Sequence, residues 1–352
     1  MTLLVIGESP AALATAGLAA MASGEPVLIG ATADGPHPAL THVELAGRTL
    51  PAVLAWATSD VAADLYVLVA DVVAHEHLLR TWAGPLAGRS LLVVAGGVGG
   101  ARATAALLAR LDTPMPRIAE TVGFPAIGRL DGSTVLVRAI KQRLPAWGDP
   151  GTGFATPDLA RFQRYFPDLL ADDLLTTSLS NTNHVIHPAV TLANADRIRG
   201  GIGFRFYREG LTAEAIANVE AVDRERVALA VRLGAPARPL TWWMASFYGD
   251  QGLRGASVEA QLRGFDPLSD SNGPTSFLDR YLLDDVGVGL APLESLAARS
   301  GIGTPTMSAL IDQASALTGR DLRAGAAARA DLVLEELSRG SPVTTGSVPM
   351  PT

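Results

Sequence analysis

Apolar residues recur along this chain in two rhythms. The first half carries short unbroken apolar runs at 3–6, 26–29, 64–70 and 90–95. Runs of that length, bounded by glycine or loop residues, predict buried strands. Alanine-rich stretches at helical spacing lie between them: AALATAGLAAMAS after Gly7, and ARATAALLARL after the cluster Gly96-Gly97-Val98-Gly99-Gly100. Strand, glycine, helix, strand predicts the start of a doubly wound dinucleotide-binding sheet. HVELAGRTLPAV alternates as a hairpin or meander, and TVLVRAIKQRL as a strand pair. PAWGDPGTG, 145–153, holds three glycines and two prolines and reads as a loop, with 157–171 joining two domains. From about residue 172 the rhythm turns helical. A helix over 212–233 stops at Gly234, a C-cap signal. The expected architecture is α/β: a Rossmann-type doubly wound sheet over 1–170, an all-helical catalytic or substrate domain over 171–338, and a polar, aperiodic tail over 339–352 expected to be disordered.

The run SLSNTNHVIHPAVTLANA, 178–195, reads as one apolar helix with a polar stripe. Ser180, Asn183, His187, Thr191 and Asn194 recur every three or four residues and share a face. Such a stripe either satisfies its own hydrogen bonds or serves chemistry, and periodicity leaves both open. Pro188 favours chemistry, because it disfavours helical geometry at His187 and opens the hydrogen-bond ladder there. An imidazole at a helix irregularity suits a proton donor and acceptor near neutral pH. The aromatic cluster Trp242, Trp243, Phe247 and Tyr248 reads as core packing rather than a pocket wall.

Asn181, Asn183, His187 and Pro188 resemble the N-x-N-x-x-x-H-P segment of the octopine/nopaline (opine) dehydrogenase family. The run from Arg280, RYLLDDVGVGL, is similar to that family's R-Y-x-x-E-D-V-P-x-G-L block, and GIGTPTMSALI to its G-x-x-T-P segment. FYREGLT, AVDRERVALAVRLG and the E-T-x-x-x-P-x-x-x-R pattern at Glu120, Thr121, Pro125 and Arg129 also fit. The resemblance runs from about residue 3 to 322. It implies reductive coupling of an α-keto acid with an amine through an imine, using NADH or NADPH.

The resemblance further implies that Asp285 pairs with His187. A carboxylate on one imidazole nitrogen fixes the tautomer, and the other nitrogen would then face substrate. Asn183 is the expected third catalytic residue, orienting a carbonyl or carbinolamine oxygen. Arg280 is the candidate carboxylate clamp, with an ion pair to a nearby aspartate as its structural alternative. Asn181 and His184 complete the expected substrate site. Expected cofactor contacts are Gly7, Ser9, Pro10, Ala11, Ala70, Gly97 and Glu120.

Three departures mark a divergent member: Ser9 in place of the second fingerprint glycine, Ala70-Asp71 in place of a proline, and Gly287 in place of another. An imine or 2-keto acid reductase, or a non-redox protein that no longer binds nucleotide, therefore stays open. The turn Gly30-Ala31-Thr32 carries neither an acid for ribose nor an arginine for a 2′-phosphate, so NAD and NADP are not separated. Asp34 and His37 read as a solvated loop. Lys141, the single lysine, reads as a surface residue.

Composition narrows the partners. A net charge of -7 and no clustered basic patch argue against nucleic acid. The absence of cysteine removes disulfides, thiol nucleophiles and zinc-cysteine sites, and fits a reducing, cytoplasmic setting. No signal peptide or membrane span is expected, because the chain starts directly as a strand and the alanine-rich segment 11–22 is short. His184 and His187 lack neighbouring carboxylates in sequence, so no metal site is expected. Keto acid and amine substrates are the expected partners, with a homodimer as the candidate assembly.

Overall fold

The computed structural model describes residues 1–30, 37–51 and 53–340. The chain forms two compact units, one of Met1–Gly96 with Gly100–Asp172, the other of Gly97–Gly99 with the chain from Asp173 onward. The first unit contains strands β1 (Leu3–Ile6), β2 (Val27–Gly30), β3 (His42–Leu45), β4 (Arg48–Pro51), β5 (Leu54–Ala57), β6 (Leu65–Leu68), β7 (Ser90–Val94), β8 (Arg117–Thr121), β9 (Ala126–Asp131), β10 (Thr134–Ile140), β11 (Leu144–Gly148) and β12 (Leu169–Ala171). Its helices are α1 (Pro10–Ser23), α2 (His75–Thr81), α3 (Ala83–Leu86), α4 (Gly100–Arg110) and α5 (Thr156–Gln163).

Eight strands form the main sheet in the order β12-β11-β8-β7-β6-β1-β2-β5. All its pairs are parallel except β11 with β8. β1, β6 and β7 are buried throughout, as a parallel sheet covered on both faces requires. The turn after β1 needs its glycine. Gly7 has φ +140°, and a Cβ there would stand 2.1 Å from the Val69 carbonyl oxygen. Ser9 then caps α1 by accepting a hydrogen bond from the Ala12 amide at 3.2 Å, and Pro10 takes the first helical turn.

A second sheet, ordered β4-β3-β10-β9, is built from two excursions of the chain. It packs on α1, where Gly17 admits Val43, Val135 and Val137 to close range. Of the hairpin or meander expected over 42–53, a hairpin is present as β3 and β4, and its partner across the sheet is β10, paired parallel to β3.

Two sequence expectations are corrected here. The segment 145–153 is not a loop throughout, since β11 pairs with β8 and β12, and Ala146 and Trp147 are buried. The stretch 157–171 is not a connection between domains. It contributes α5 and β12 to the first unit and buries Phe162 and Tyr165. In both, burial of large side chains outweighs turn-forming composition. Lys141 is also corrected, being buried at 4% exposure rather than at the surface.

The second unit is helical: α6 (Leu174–Leu179), α7 (Thr182–Leu192), α8 (Ala195–Arg199), α9 (Ala213–Leu233), α10 (Leu240–Tyr248), α11 (Val258–Gly264), α12 (Arg280–Asp284), a wide π turn over Asp285–Leu290, α13 (Ala291–Arg299), α14 (Pro305–Thr318) and α15 (Ala326–Ser338). Thr212 caps α9 through the Ala215 amide, and Gly234 ends it at φ +77°. Trp243, Phe247 and Tyr248 are buried core residues, while Trp242 is half-buried under the Arg238 guanidinium at 3.9 Å. Among the described residues no helix is long and apolar enough to cross a membrane. The tail from 341, and Ala31, Thr32 and Asp34, lie outside the described residues. His37, expected in a solvated loop, is half-buried and stacks on Trp56 at 4.4 Å.

Candidate active site

The run expected to be one helix is two. Asp173 caps α6 by accepting from the Thr176 amide at 2.7 Å, and the helix stops at Ser180. The Arg226 guanidinium donates to the Leu179 carbonyl at 3.2 Å, satisfying an acceptor that a continuing helix would have used. Asn181 then caps α7, its side-chain oxygen accepting from the Asn183 amide at 3.1 Å. Pro188 does not end the helix, since α7 runs through it to Leu192, although the proline offers no N–H to the His184 carbonyl. Val185, Ile186, Ala189 and Val190 are buried around the proline, and their packing holds the helix where propensity would break it. Asn194 belongs to the structural part of the stripe. Its amide donates to the Val190 and Gly210 carbonyls, both at 2.8 Å.

His187 occupies the second turn of α7 and is 5% exposed. Its Nδ1 lies 2.8 Å from Asp285 Oδ2, a side chain delivered by the first residue of the π turn. Wide π turns recur at functional sites because they re-aim side chains within a helix. Asp285 oxygens only accept while ionised, so His187 carries its proton on Nδ1 and donates it. The second nitrogen does not stand open to substrate as expected. Nε2 lies 3.2 Å from the Tyr207 hydroxyl, which donates to it. Tyr281 stacks on one face of the imidazole at 3.9 Å between ring centres, and Phe206 meets it edge-on at 5.6 Å. Tyr207 and Tyr281 escaped the sequence reading of the site. Both lie inside runs that carry the family resemblance, but nothing in their spacing marks them as neighbours of His187.

Electrostatics set the protonation states. Burial pushes the His187 pKa down, and the Asp285 charge offsets this only in part. Burial alone would raise Asp285, but Arg280 and His187 outweigh it and hold the carboxyl below its ordinary range. The resting pair is therefore a carboxylate and a neutral imidazole. His184, one turn before His187, is driven by burial down to about 4. Its Nε2 accepts from the Asn181 amide at 3.0 Å and sits 3.9 Å from Asp285 Oδ1. Gly289 makes room for this ring, because a Cβ there would stand 2.5 Å from His184 Cγ.

A pH dependence of stability follows. His184 titrates at 6.5 in an unfolded chain and at about 4 when folded, and His187 is shifted the same way. Groups depressed on folding stabilise fully above the unfolded value and lose that contribution as pH falls through the folded one. The urea midpoint should therefore fall between pH 6.5 and 4, with His184 alone accounting for about 3 kcal/mol. A His184→Gln variant should flatten that slope; an unchanged slope would remove His184 as its cause.

The other expected site residues fall as follows. Asn183 is half-buried in the first turn of α7, and its side-chain amide makes no hydrogen bond among the described residues. Arg280 opens α12, half-buried, with its guanidinium 5.7 Å from the Tyr281 ring centre. Gly7, Ser9, Pro10 and Ala11 form the turn and first residues of α1. The Ala70 carbonyl accepts from His75 Nε2 at 3.2 Å. The buried Glu120 carboxylate accepts from the Ala101 amide at 2.6 Å, at the N-terminus of α4. Gly97 has φ +80° and groups with the helical unit, where a Cβ would stand 2.5 Å from Val288. Its neighbours are anchored there by bonds from the Val98 amide to the Val288 carbonyl and from the Gly99 amide to Ser178 Oγ.

Comparisons with known proteins place the chain in a family. The domain described as NAD/NADP octopine/nopaline dehydrogenase, alpha-helical domain, matches residues 170–318. The chain is 30% identical over 289 residues to an opine dehydrogenase of Arthrobacter sp. (strain 1C), covering 79% of this chain and 78% of that one. It is 30% identical over 176 residues to vitopine synthase of Allorhizobium ampelinum, covering 49% and 48%. Among solved structures, octopine dehydrogenase in complex with NADH and agmatine superposes with a TM-score of 0.72 at 18% identity, covering 97% of this chain and 98% of that one. NADP+-bound yersinopine dehydrogenase superposes with a TM-score of 0.65 at 16% identity, covering 95% and 99%. The chain therefore belongs to the NAD/NADP octopine/nopaline (opine) dehydrogenase family.

Proposed function

We propose that this chain is an NAD(P)H-dependent opine dehydrogenase-like enzyme that couples an α-keto acid to an amine through an imine. The observation that carries the reading is the buried His187–Asp285 pair at 2.8 Å, a neutral imidazole oriented by a carboxylate. The solved relatives, with NADH in one structure and NADP+ in another, support the coenzyme.

The N-terminal turn suits a dinucleotide. Gly7 holds a backbone conformation closed to other residues, and the first turn of α1 carries no acidic side chain. Ser9 Oγ accepts from Ala12, which leaves its hydroxyl hydrogen to donate to a phosphate. Gly7, Ser9, Pro10 and Ala11 would hold the pyrophosphate, and Ala70 would border it. Glu120 would steady the start of α4, and Gly97 the glycine turn. When bound, the reduced nicotinamide supplies the hydride that converts the imine carbon to that of a secondary amine.

The chain's own residues do the rest. Arg280 binds the keto-acid carboxylate bidentately. Asn183, with its uncommitted amide, orients the carbonyl and then the carbinolamine oxygen. Asn181 and His184 shape the end of the site, with His184 neutral. His187 takes up the proton that the entering ammonium must lose before its nitrogen can attack. The same proton returns to the carbinolamine hydroxyl, which leaves as water.

Fluorescence titration should show NADH or NADPH binding in the range of about 1 µM to 1 mM. Mass spectrometry of keto acid and amine pairs should then find a secondary amine dependent on both substrates. Binding of neither nucleotide would sink the reading, and reduction of a keto acid without any amine would replace it with that of a 2-keto acid reductase.

A further inference from the structure

Every polar atom of His187 is already engaged. Nδ1 donates to Asp285 Oδ2 at 2.8 Å, and Nε2 accepts from the Tyr207 hydroxyl at 3.2 Å. Tyr281 stacks on one face of the ring, and Phe206 packs edge-on beside the pair. His187 and Tyr207 are 5% and 6% exposed. A substrate proton travelling toward Nε2 meets the Tyr207 oxygen first. We propose that Tyr207 is a catalytic residue, and that its hydroxyl passes the proton between His187 and the substrate. This rests on the reading that the enzyme condenses an amine with a keto acid.

The steps balance. The substrate ammonium gives an N–H proton to the Tyr207 oxygen, while Tyr207 gives its own hydroxyl proton to His187 Nε2. The products are a free amine, a neutral tyrosine and an imidazolium held by Asp285. After the amine has added to the ketone, the transfer runs backward. The imidazolium returns its Nε2 proton to the Tyr207 oxygen, and Tyr207 passes its hydroxyl proton to the carbinolamine hydroxyl. The C–O bond breaks and water leaves. Tyr207 never stands as a phenolate, which suits its surroundings. Burial, with Tyr281, Tyr248 and Asp285 nearby, raises its pKa well above the ordinary value.

The same bond affects how His187 titrates. The hydroxyl donates to Nε2 of the neutral ring and accepts from Nε2–H of the imidazolium. The second, charge-assisted bond is the stronger, so the hydroxyl favours the protonated ring. The charged and titratable groups around the ring are Asp285, Arg280, Asp279, His184, Tyr281 and Tyr207. Of these, Tyr207→Phe removes only one hydroxyl.

The test compares full-length wild type with Tyr207→Phe. With a keto acid and amine pair, turnover should fall by about a hundredfold, within the range general acid–base catalysis supplies. KM and nucleotide affinity should stay within about twofold of wild type, and the acid limb of the kcat/KM profile should move to lower pH. Wild-type turnover in mixtures of light and heavy water should depend on deuterium fraction with the curvature of two protons in flight, and the variant should not. In parallel, a 15N NMR titration of the resting protein should show the His187 pKa falling in the variant.

Wild-type turnover in Tyr207→Phe overturns the proposal. So does an unchanged His187 titration, because the bond is then not formed. Absence of secondary amine product in wild type with every pair would instead remove the functional reading, and the NMR titration would still decide the Tyr207 bond.

Discussion

Replacing Asp285 with Asn should lower turnover by on the order of a thousandfold and leave nucleotide affinity nearly unchanged. The carboxylate accepts the Nδ1 proton of His187 at 2.8 Å and supplies the charge that makes the imidazolium tolerable at a buried site. An asparagine can turn its NH2 group toward Nδ1. That arrangement stabilises the tautomer with its proton on Nε2, where a lone pair is needed to accept one. The neutral amide also gives no support to the imidazolium. The buried ring would then remain neutral through the cycle and in the wrong tautomer for a base. His187→Ala should cost a similar factor for the simpler reason that the base is gone. Steady-state kinetics with the true keto acid and amine, alongside NADH and NADPH titration, give both quantities. If either variant kept wild-type turnover, the pair would not be the acid–base centre. A parallel loss of nucleotide binding would point to a disrupted fold rather than to chemistry.

The second large effect concerns the fold of the helical unit. Asp223→Ala should destabilise it by about 3–5 kcal/mol, because it leaves a buried guanidinium without its counter-charge. Arg226 is 2% exposed and bonds to Asp223 Oδ1 at 2.6 and 3.0 Å. Its remaining donors reach the carbonyls of Leu179 and Arg238. Asp223 Oδ2 also accepts from the Leu240 amide at the start of α10, so the substitution removes that contact as well. The pair thus ties α9 to the end of α6 and the start of α10. Replacing both members, as Asp223→Leu with Arg226→Met, should cost less than the single change, since no charge is left stranded. Urea denaturation of the three proteins measures this. A loss under about 1 kcal/mol in Asp223→Ala would mean that the guanidinium finds water or another acceptor.

The His187 site shows why local and long-range information separate. The stripe on 178–195 drew attention to His187 because side-chain spacing along one helix is written in consecutive residues. The same reasoning placed Ser180 and Asn194 with it, although Ser180 precedes α7 and Asn194 ties its end to the Gly210 carbonyl. The stop at Ser180 is reinforced by an arginine 47 residues away. Asp285 lies 98 residues from His187, and the expectation that they meet came from the family resemblance, not from periodicity.

By itself, the amino-acid order determined the features that depend on near neighbours. These are the apolar runs of the parallel sheet, the glycine turn after β1, the proline at the head of α1, and the span and C-cap of α9. Each follows from sterics or hydrogen bonding within a few residues. The tertiary structure alone decided what depends on distant partners. It made a strand of 144–148 by setting it against β8, buried Lys141, and carried α7 unbroken through Pro188. It also brought the Tyr207 hydroxyl to the nitrogen of His187 that substrate was expected to meet. Burial energy and paired polar groups at long separation govern these outcomes, and they exist only once the chain has closed on itself.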